Sequence, residues 1–362
     1  VRAAAAGRTG GQVVEGGWSR GPAGEVQVRI LIVGGTRFVG RHIAAAALDR
    51  DHQVTLFHRG RTGAELFPEA SHLLGDRDGD LAILSQGRWD ATIDVCAYVP
   101  RQVDTLAAAL DGRGGHYVLI SSLSVYATPQ PALFGEDAPL IELPDPTVEE
   151  VTDATYGGLK VLCERAAVDR FGAGTLLIRP TYVIGPFDHS GRFTWWVRRI
   201  ARGGEVLAPE PQDAPIQLVD ARDQATWVVG LVEQGAGGAY NAVSPPAPFS
   251  FADMLREIVA VAGPPGTTLT WVERSFLLEA GEDDLSLPMW PGGDPAGMFE
   301  AADPRRAYGS GLAPRPLAQT IRETLEHDRA EPTTLRPGVG LPAEREAELL
   351  ARWHAREGAA RP

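Results

Sequence analysis

Two short stretches hold the side chains best suited to chemistry. In "DATYGGLKVLCERA", Tyr156 and Lys160 stand four residues apart, a spacing that puts both on one face of a helix. Earlier in the chain, "VLISSLSVY" ends an apolar strand with Ser121, Ser122 and Ser124. A phenol, an ammonium and hydroxyls are parts from which a proton-transfer site can be built. A free tyrosine titrates near pH 10, too high for fast exchange at neutral pH. A cation about 4 Å away, at an effective dielectric near 20, is worth roughly 4 kcal/mol, so a lysine one helical turn away is the right correction. Tyrosine and lysine at this spacing are common on helix surfaces, and the serine-bearing strand is what makes the pair less ordinary.

A second set of residues reads as a nucleotide site. In "LIVGGTRFVGRH", Leu31 to His42, an apolar strand runs into Gly34 and Gly35 and an amphipathic segment begins after Phe38. Gly34, Gly35 and Gly40 allow a tight bend and a close approach of helix to strand, so the helix N-terminus can offer free N–H groups to a pyrophosphate. The candidate contacts in this turn are Gly34, Thr36, Arg37, Phe38, Val39 and Gly40. The residue about 20 positions beyond such glycines normally selects the cofactor, a carboxylate there accepting from the ribose 2′-OH of NAD. Here "LFHRGR" places His58 and Arg59 at that point, with Arg61 close behind. No acid is available to hold a 2′-OH or repel a 2′-phosphate, and Arg37 and Arg59 can converge on that phosphate from adjacent turns. The expected cofactor is therefore NADP(H). The plainer alternative is that both arginines are solvated surface.

These residues need a scaffold that brings strand ends together. Short apolar strands, Arg29 to Val33, Val54 to Phe57, Thr92 to Val95, His116 to Ser121 and Thr175 to Arg179, alternate with helical patterns, the signature of a parallel sheet covered on both faces. The fold class is thus α/β, a Rossmann-type doubly wound parallel sheet with a smaller, partly interleaved C-terminal substrate domain. The expected division is a disordered, glycine-crowded extension over 1–27, a nucleotide-binding domain over 28–180 to which segments of about 215–245 partly return, a substrate domain over 181–330, and a linker with a C-terminal helix over 331–362. In that last helix Leu349, Leu350 and Trp353 form one apolar docking stripe,. The segment "GRFTWWVRRIARGG" has Phe193, Trp196, Val197 and Ile200 on one helical stripe, which leaves Trp195, Arg199 and Arg202 for another face. Trp195 and Arg199, with Ser124, are candidate substrate contacts; simple packing is the competing reading.

Composition bounds the rest. The chain has 362 residues, 44% hydrophobic, enough to bury a sizeable core. With 34 Lys plus Arg against 47 Asp plus Glu, the formal net charge is -13, which opposes non-specific attraction to nucleic acid or an anionic membrane. No apolar run reaches the length of a membrane span and no signal-peptide pattern is present, so the expected location is the cytoplasm. Cys96 and Cys163 lie in apolar segments and read as free thiols; the eight histidines lack ligand spacing, and no metal is expected,.

Taken in order, "GGTRFVG", "GDRDGD", "ISSLSVY", "YGGLK", "IRPTYVIGP" and "LVDARDQA" resemble the extended short-chain dehydrogenase/reductase family, over roughly Val28 to Arg329. "GGTRFVG", with arginine for glycine, resembles the branch that contains chloroplast stem-loop binding proteins and bacterial reductases. The resemblance implies a substrate-orienting role for Ser122, an acid/base role for Tyr156 and an activating role for Lys160, with Ser121 and Lys160 also touching cofactor. It further implies contacts to the adenine end from Asp76 and Arg77, to the cofactor from Cys96 and Ala97, and along the nicotinamide from Pro180 to Val183.

Two departures narrow the activity. Leu123 and Ser124 follow Ser122 where dehydratases of the family carry an acidic pair. Ile216, seven before Asp223, stands where nucleotide-sugar epimerases carry an arginine, though Arg192, Arg198 or Arg222 could substitute. The leading expectation is an NADP(H)-dependent reductase of a small-molecule carbonyl. A sugar epimerase-like enzyme and a non-catalytic RNA-binding protein are the alternatives, and a homodimer is compatible with either class.

Overall fold

The computed structural model describes residues 19–20, 26–131, 133–245, 249–291 and 301–360. Most of the stretch expected to be disordered, 1–18 and 21–25, lies outside the described residues. Departing from that expectation, β1 (Ser19–Arg20) and β2 (Val26–Gln27) form a short antiparallel pair. The chain then runs β3 (Arg29–Val33), α1 (Phe38–Leu48), β4 (Gln53–His58), β5 (Ser71–Leu74), β6 (Ala91–Asp94), α2 (Pro100–Leu110), β7 (His116–Ile120), α3 (Asp153–Phe171) and β8 (Leu176–Pro180). Next come β9 (Tyr182–Ile184), α4 (Arg192–Ala201), β10 (Glu205–Pro209), β11 (Leu218–Asp220), α5 (Ala221–Glu233), β12 (Gly238–Ala242), α6 (Phe251–Ala262) and β13 (Thr268–Val272). The chain ends with α7 (Arg274–Glu279), α8 (Arg305–Gly309), α9 (Leu317–Ala330) and α10 (Ala343–Ala360).

Seven parallel strands form the central sheet in the order β12-β8-β7-β6-β3-β4-β5. The doubly wound parallel fold expected from the strand pattern is the fold observed. The central strands β6, β7 and β8 are almost wholly buried and largely apolar because successive residues feed opposite covered faces, the charged Asp94 and Arg179 being paired,. Ile30 and Ile32 of β3 join Ile43 of α1 and Val228 of α5 on one side; Leu31 and Val33 join Val103 of α2 and Cys163 of α3 on the other. The chain winds outward from β3 through β4 to β5, then crosses to β6 on the other side. The crevice at the C-terminal ends of β3 and β6 is therefore the switch point at which such sheets bind ligands.

The second lobe has its own core. It gathers α4, α6 and α10 around the β10–β13 pair, with Trp196, Phe251, Leu255, Trp290, Leu349 and Trp353 among its buried residues. The apolar stripe of α10 is spent here. Among the described residues, no helix is long and apolar enough to cross a membrane.

Candidate active site

The glycine turn after β3 is built as the sequence requires. Gly34 takes φ +92°, and its N–H donates to Phe57 O at 3.0 Å, stitching the turn to β4. A Cβ on Gly40 would lie 2.3 Å from Gly34 O, so any side chain there would push helix from strand. The first intrahelical bond runs from Arg41 N to Arg37 O, which leaves the N–H groups of Phe38, Val39 and Gly40 without helical partners. Thr36 is buried beneath the turn. This cradle, with free donors at a helix N-terminus over the switch point, fits a pyrophosphate. A buried Ser121 Oγ with no hydrogen-bond partner among the described residues fits a bound group at the end of β7.

Arg37 caps α1 and is exposed; Arg59 and Arg61 follow β4 and are exposed as well. None of the three forms an ion pair among the described residues. The parallel pairing of Val33 with Phe57 brings their two turns to one sheet edge, and a Cβ on Gly63 would lie 3.2 Å from Thr36 O, so the second turn folds back against the first. His58 points inward. Its Nδ1 accepts from Gly60 N–H at 3.1 Å, and its Nε2 lies 2.8 Å from His72 Nδ1. His72 Nε2 in turn lies 3.1 Å from Phe67 O. These partners assign both imidazoles as neutral, each with its proton on Nε2. His58 thus shapes the arginine-bearing turn from below.

Farther along the edge, the expected cofactor contacts divide. Asp76 is half-buried, its Oδ1 accepting from Asp78 N. Arg77 is committed to the protein: it makes two bonds to Asp94, at 2.7 and 2.9 Å, and one to Gln102 O. Its guanidinium locks the loop after β5 onto β6 and α2. Burial alone would raise the Asp94 carboxyl, but the charge and hydrogen bonds of Arg77 hold it below its ordinary range. Cys96 and Ala97 follow β6 after Val95; Cys96 Sγ would lie 3.0 Å from a Cβ on Gly34. Both cysteines are free thiols. Pro180 ends β8 and is buried, and Val183 in β9 is half-buried.

The Tyr156 helix meets the serine loop at close range. Thr152 caps α3, accepting from Thr155 N. A Cβ on Gly157 would lie 2.1 Å from Ser124 O, so the glycine after Tyr156 is what lets α3 press on the serine loop. That loop is anchored from below by Tyr126, fully buried. Its hydroxyl donates to Asn241 Oδ1 at 2.7 Å and accepts from Arg179 at 2.8 Å, while Arg179 pairs with Glu164 of α3. Ser122 and Ser124 hydroxyls lie 3.1 Å apart.

Lys160 is 3% exposed. Its Nζ donates to Ala97 O at 2.8 Å and Ile120 O at 2.9 Å, the carbonyls that follow β6 and end β7. The ammonium lies 6.0 Å from the Tyr156 ring and 5.2 Å from the Tyr98 ring, within reach of a cation–π attraction. Tyr156 is half-buried and its hydroxyl has no hydrogen-bond partner among the described residues. Tyr98 is a member of this site that the sequence reading missed; its only signal was its place directly after Cys96 and Ala97.

Trp195 and Arg199 are corrected. They are 4% and 7% exposed. Arg199 pairs with Glu346 of α10 and donates to Gly203 O and Glu205 O, and a Cβ on Gly340 would collide with the Trp195 indole. The packing reading describes both, because α10 and the segment before it cover the face of α4 that a cleft would need.

The switch-point crevice, its glycine turn and the serine–tyrosine–lysine set thus share one edge of a Rossmann-type parallel sheet. Residues 100–242 match the model of the NAD dependent epimerase/dehydratase family, in agreement with the resemblance carried by the motifs. Over 220 residues the chain is 28% identical to the chloroplast stem-loop binding protein of 41 kDa b from Arabidopsis thaliana; this match covers 56% of the chain and 55%, about half, of that relative. UDP-glucuronic acid 4-epimerase from Bacillus cereus, solved in complex with NAD, superposes with a TM-score of 0.63 at 16% identity, covering 84% of this chain and 99% of that one. UDP-N-acetylglucosamine 4-epimerase from Methanobrevibacter ruminantium gives 0.65, also at 16% identity, over 84% and 99%. At these identities the two structures speak to the fold alone.

Proposed function

We propose that this protein is an NADP(H)-dependent oxidoreductase that reduces a carbonyl group of a small molecule. The observation that carries the proposal is Lys160, a buried ammonium fixed by two strand-end carbonyls beside Tyr156, with Ser122 and Ser124 on the loop that α3 presses against. A bound nicotinamide dinucleotide supplies or accepts the hydride. The free N–H groups of Phe38, Val39 and Gly40 hold its pyrophosphate. Arg37 and Arg59 hold a 2′-phosphate, since His58 stands where an acid would select NAD and faces away toward His72.

In the reducing direction Tyr156 gives its hydroxyl proton to the carbonyl oxygen, and Ser122 positions that oxygen. Lys160 favours the negative charge that the phenol acquires. In reverse, the same groups take the proton from an alcohol. Solved relatives of this fold include nucleotide-sugar 4-epimerases, but Ile216, where their family carries an arginine, is 3% exposed in the second core, which favours a substrate other than a nucleotide sugar. A panel of small aldehydes and ketones, followed by NADPH oxidation, tests the proposal. Turnover of a panel member that vanishes in Tyr156→Phe supports it, and a Tyr156→Phe variant that turns over like the wild type contradicts it.

A further inference from the structure

Of the three arginines that could replace the ligand absent at Ile216, two are consumed within the fold. Arg198 pairs with Asp328 at 2.6 Å, and Arg222 with Asp220 at 2.6 Å and with Glu323. Arg192 forms no ion pair among the described residues. Its guanidinium lies 4.9 Å from the centre of the Tyr182 ring in β9, and its Nε lies 3.4 Å from Ser190 Oγ.

The segment after α9 brings a second cation to the same place. A Cβ on Gly191 would lie 2.5 Å from Leu335 Cδ2 and 3.5 Å from its Cα, so the chain at Leu335 is seated on the residue that precedes Arg192. Arg336 follows, exposed and without an ion pair among the described residues; its carbonyl accepts from Val339 N and closes a turn. The charge of Arg336 acts on Asp188 and His189, and also on Tyr98 beside Lys160. Asp188, the acid nearest in sequence, is buried and accepts from Ser190 N and Oγ, both at 2.8 Å. His189 packs edge-on against Phe38 at the start of α1, with ring centres 6.1 Å apart. Desolvation, and then the fields of Arg37, Arg336 and Arg192, push its imidazole down to about 4, so at neutral pH it adds no charge of its own.

We propose that Arg192 and Arg336 form an oxyanion subsite between the glycine turn and the second lobe, and that the carbonyl compound taken by this protein carries a phosphate or carboxylate group. The location of the reacting carbonyl rests on the reductase reading; the anion site does not. Guanidinium groups suit such oxygens because they can donate two parallel bonds.

The test is calorimetric titration of inorganic phosphate and of acetate into NADP⁺-saturated protein at constant ionic strength, alongside NADPH titrations of the same variants. At least one anion should bind, and Arg336→Gln and Arg192→Gln should each weaken it about tenfold or more, a loss of about 1.4 kcal/mol, with NADPH affinity within twofold of wild type. The anion that binds tells phosphate from carboxylate. Failure of both anions to bind, or unchanged binding in both variants, overturns the proposal. So does a matching loss of NADPH affinity, which would give these arginines to the cofactor's own phosphates. Arg336 is exposed and forms no ion pair among the described residues, so its variant decides the matter if Arg192→Gln lowers the melting temperature. If NADPH does not bind the wild type, the reductase reading fails, and the same anion titration on the free protein decides the subsite.

Discussion

Lys160 couples the two halves of the candidate chemistry. Its ammonium is held by Ala97 O and Ile120 O, so removing it leaves two buried carbonyls without a donor and deprives Tyr156 of its cation. Lys160→Ala should therefore lower NADPH affinity and single-turnover rate together. Tyr156→Phe keeps the ring and loses only the proton donor, so the rate should fall by about 10²–10⁴, the usual contribution of general acid catalysis, with NADPH affinity within twofold. Rapid-mixing kinetics with parallel cofactor titrations separate the two patterns. The residue types and spacing of this set were legible in the sequence because residues four apart on a helix, here Tyr156 and Lys160, share a face,. Tyr98 was not legible, since its approach to Lys160 depends on how β6 ends relative to α3. The pairing of Arg77 with Asp94 was not legible for a related reason: the two lie 17 residues apart, Arg77 in the loop after β5 and Asp94 in β6, and no local pattern announces such a pair.

At the scale of elements, the turn after β4 should respond to acid. Burial and the neighbouring His72 push the His58 imidazole below its ordinary value, and burial does the same for His42 and His52. The unfolded chain binds these protons near pH 6.5 while the folded chain resists them. Their contribution to stability is complete above that pH and is lost as pH falls toward the lower folded values. The melting temperature should drop between pH 7.5 and pH 5.5, and His58→Gln should flatten the drop; a melting temperature that holds or rises over that interval would contradict the assignment of neutral imidazoles.

The helix α10 makes a different kind of claim. Glu346 bonds Arg199 and Leu207 N inside the second core, and breaking a buried pair costs about 3–5 kcal/mol. Glu346→Ala should lower stability by that order in denaturant titration and leave NADPH affinity unchanged. The apolar stripe of α10 was readable from Leu349, Leu350 and Trp353. That it buries the Arg199 face of α4 was not, because an amphipathic pattern shows which face is apolar and says nothing about what covers the other. β5 escaped notice for a simpler reason. "SHLL" is a short edge strand, exposed at both ends, without the continuous apolar run of its buried neighbours.

The whole molecule sets Arg37, Arg59 and Lys160 at the C-terminal edge of a parallel sheet, in a chain of net charge -13. The sheet was legible from sequence because doubly covered strands read as near-continuous apolar runs. The second lobe was less so, since its core is assembled from segments far apart in the chain, from Phe193 to Trp353. The central claim is that this edge holds a 2′-phosphorylated dinucleotide through Arg37 and Arg59. A charge-assisted bond contributes about 1.5–3 kcal/mol, and about 1.4 kcal/mol is tenfold in affinity, so two such arginines should favour NADPH over NADH by about two decades or more. Titration calorimetry of both cofactors, on the wild type and on the Arg37→Ala, Arg59→Ala double variant, measures this directly. The account predicts the preference in the wild type and its disappearance in the double variant; equal affinities in the wild type, or tighter binding of NADH, would contradict it.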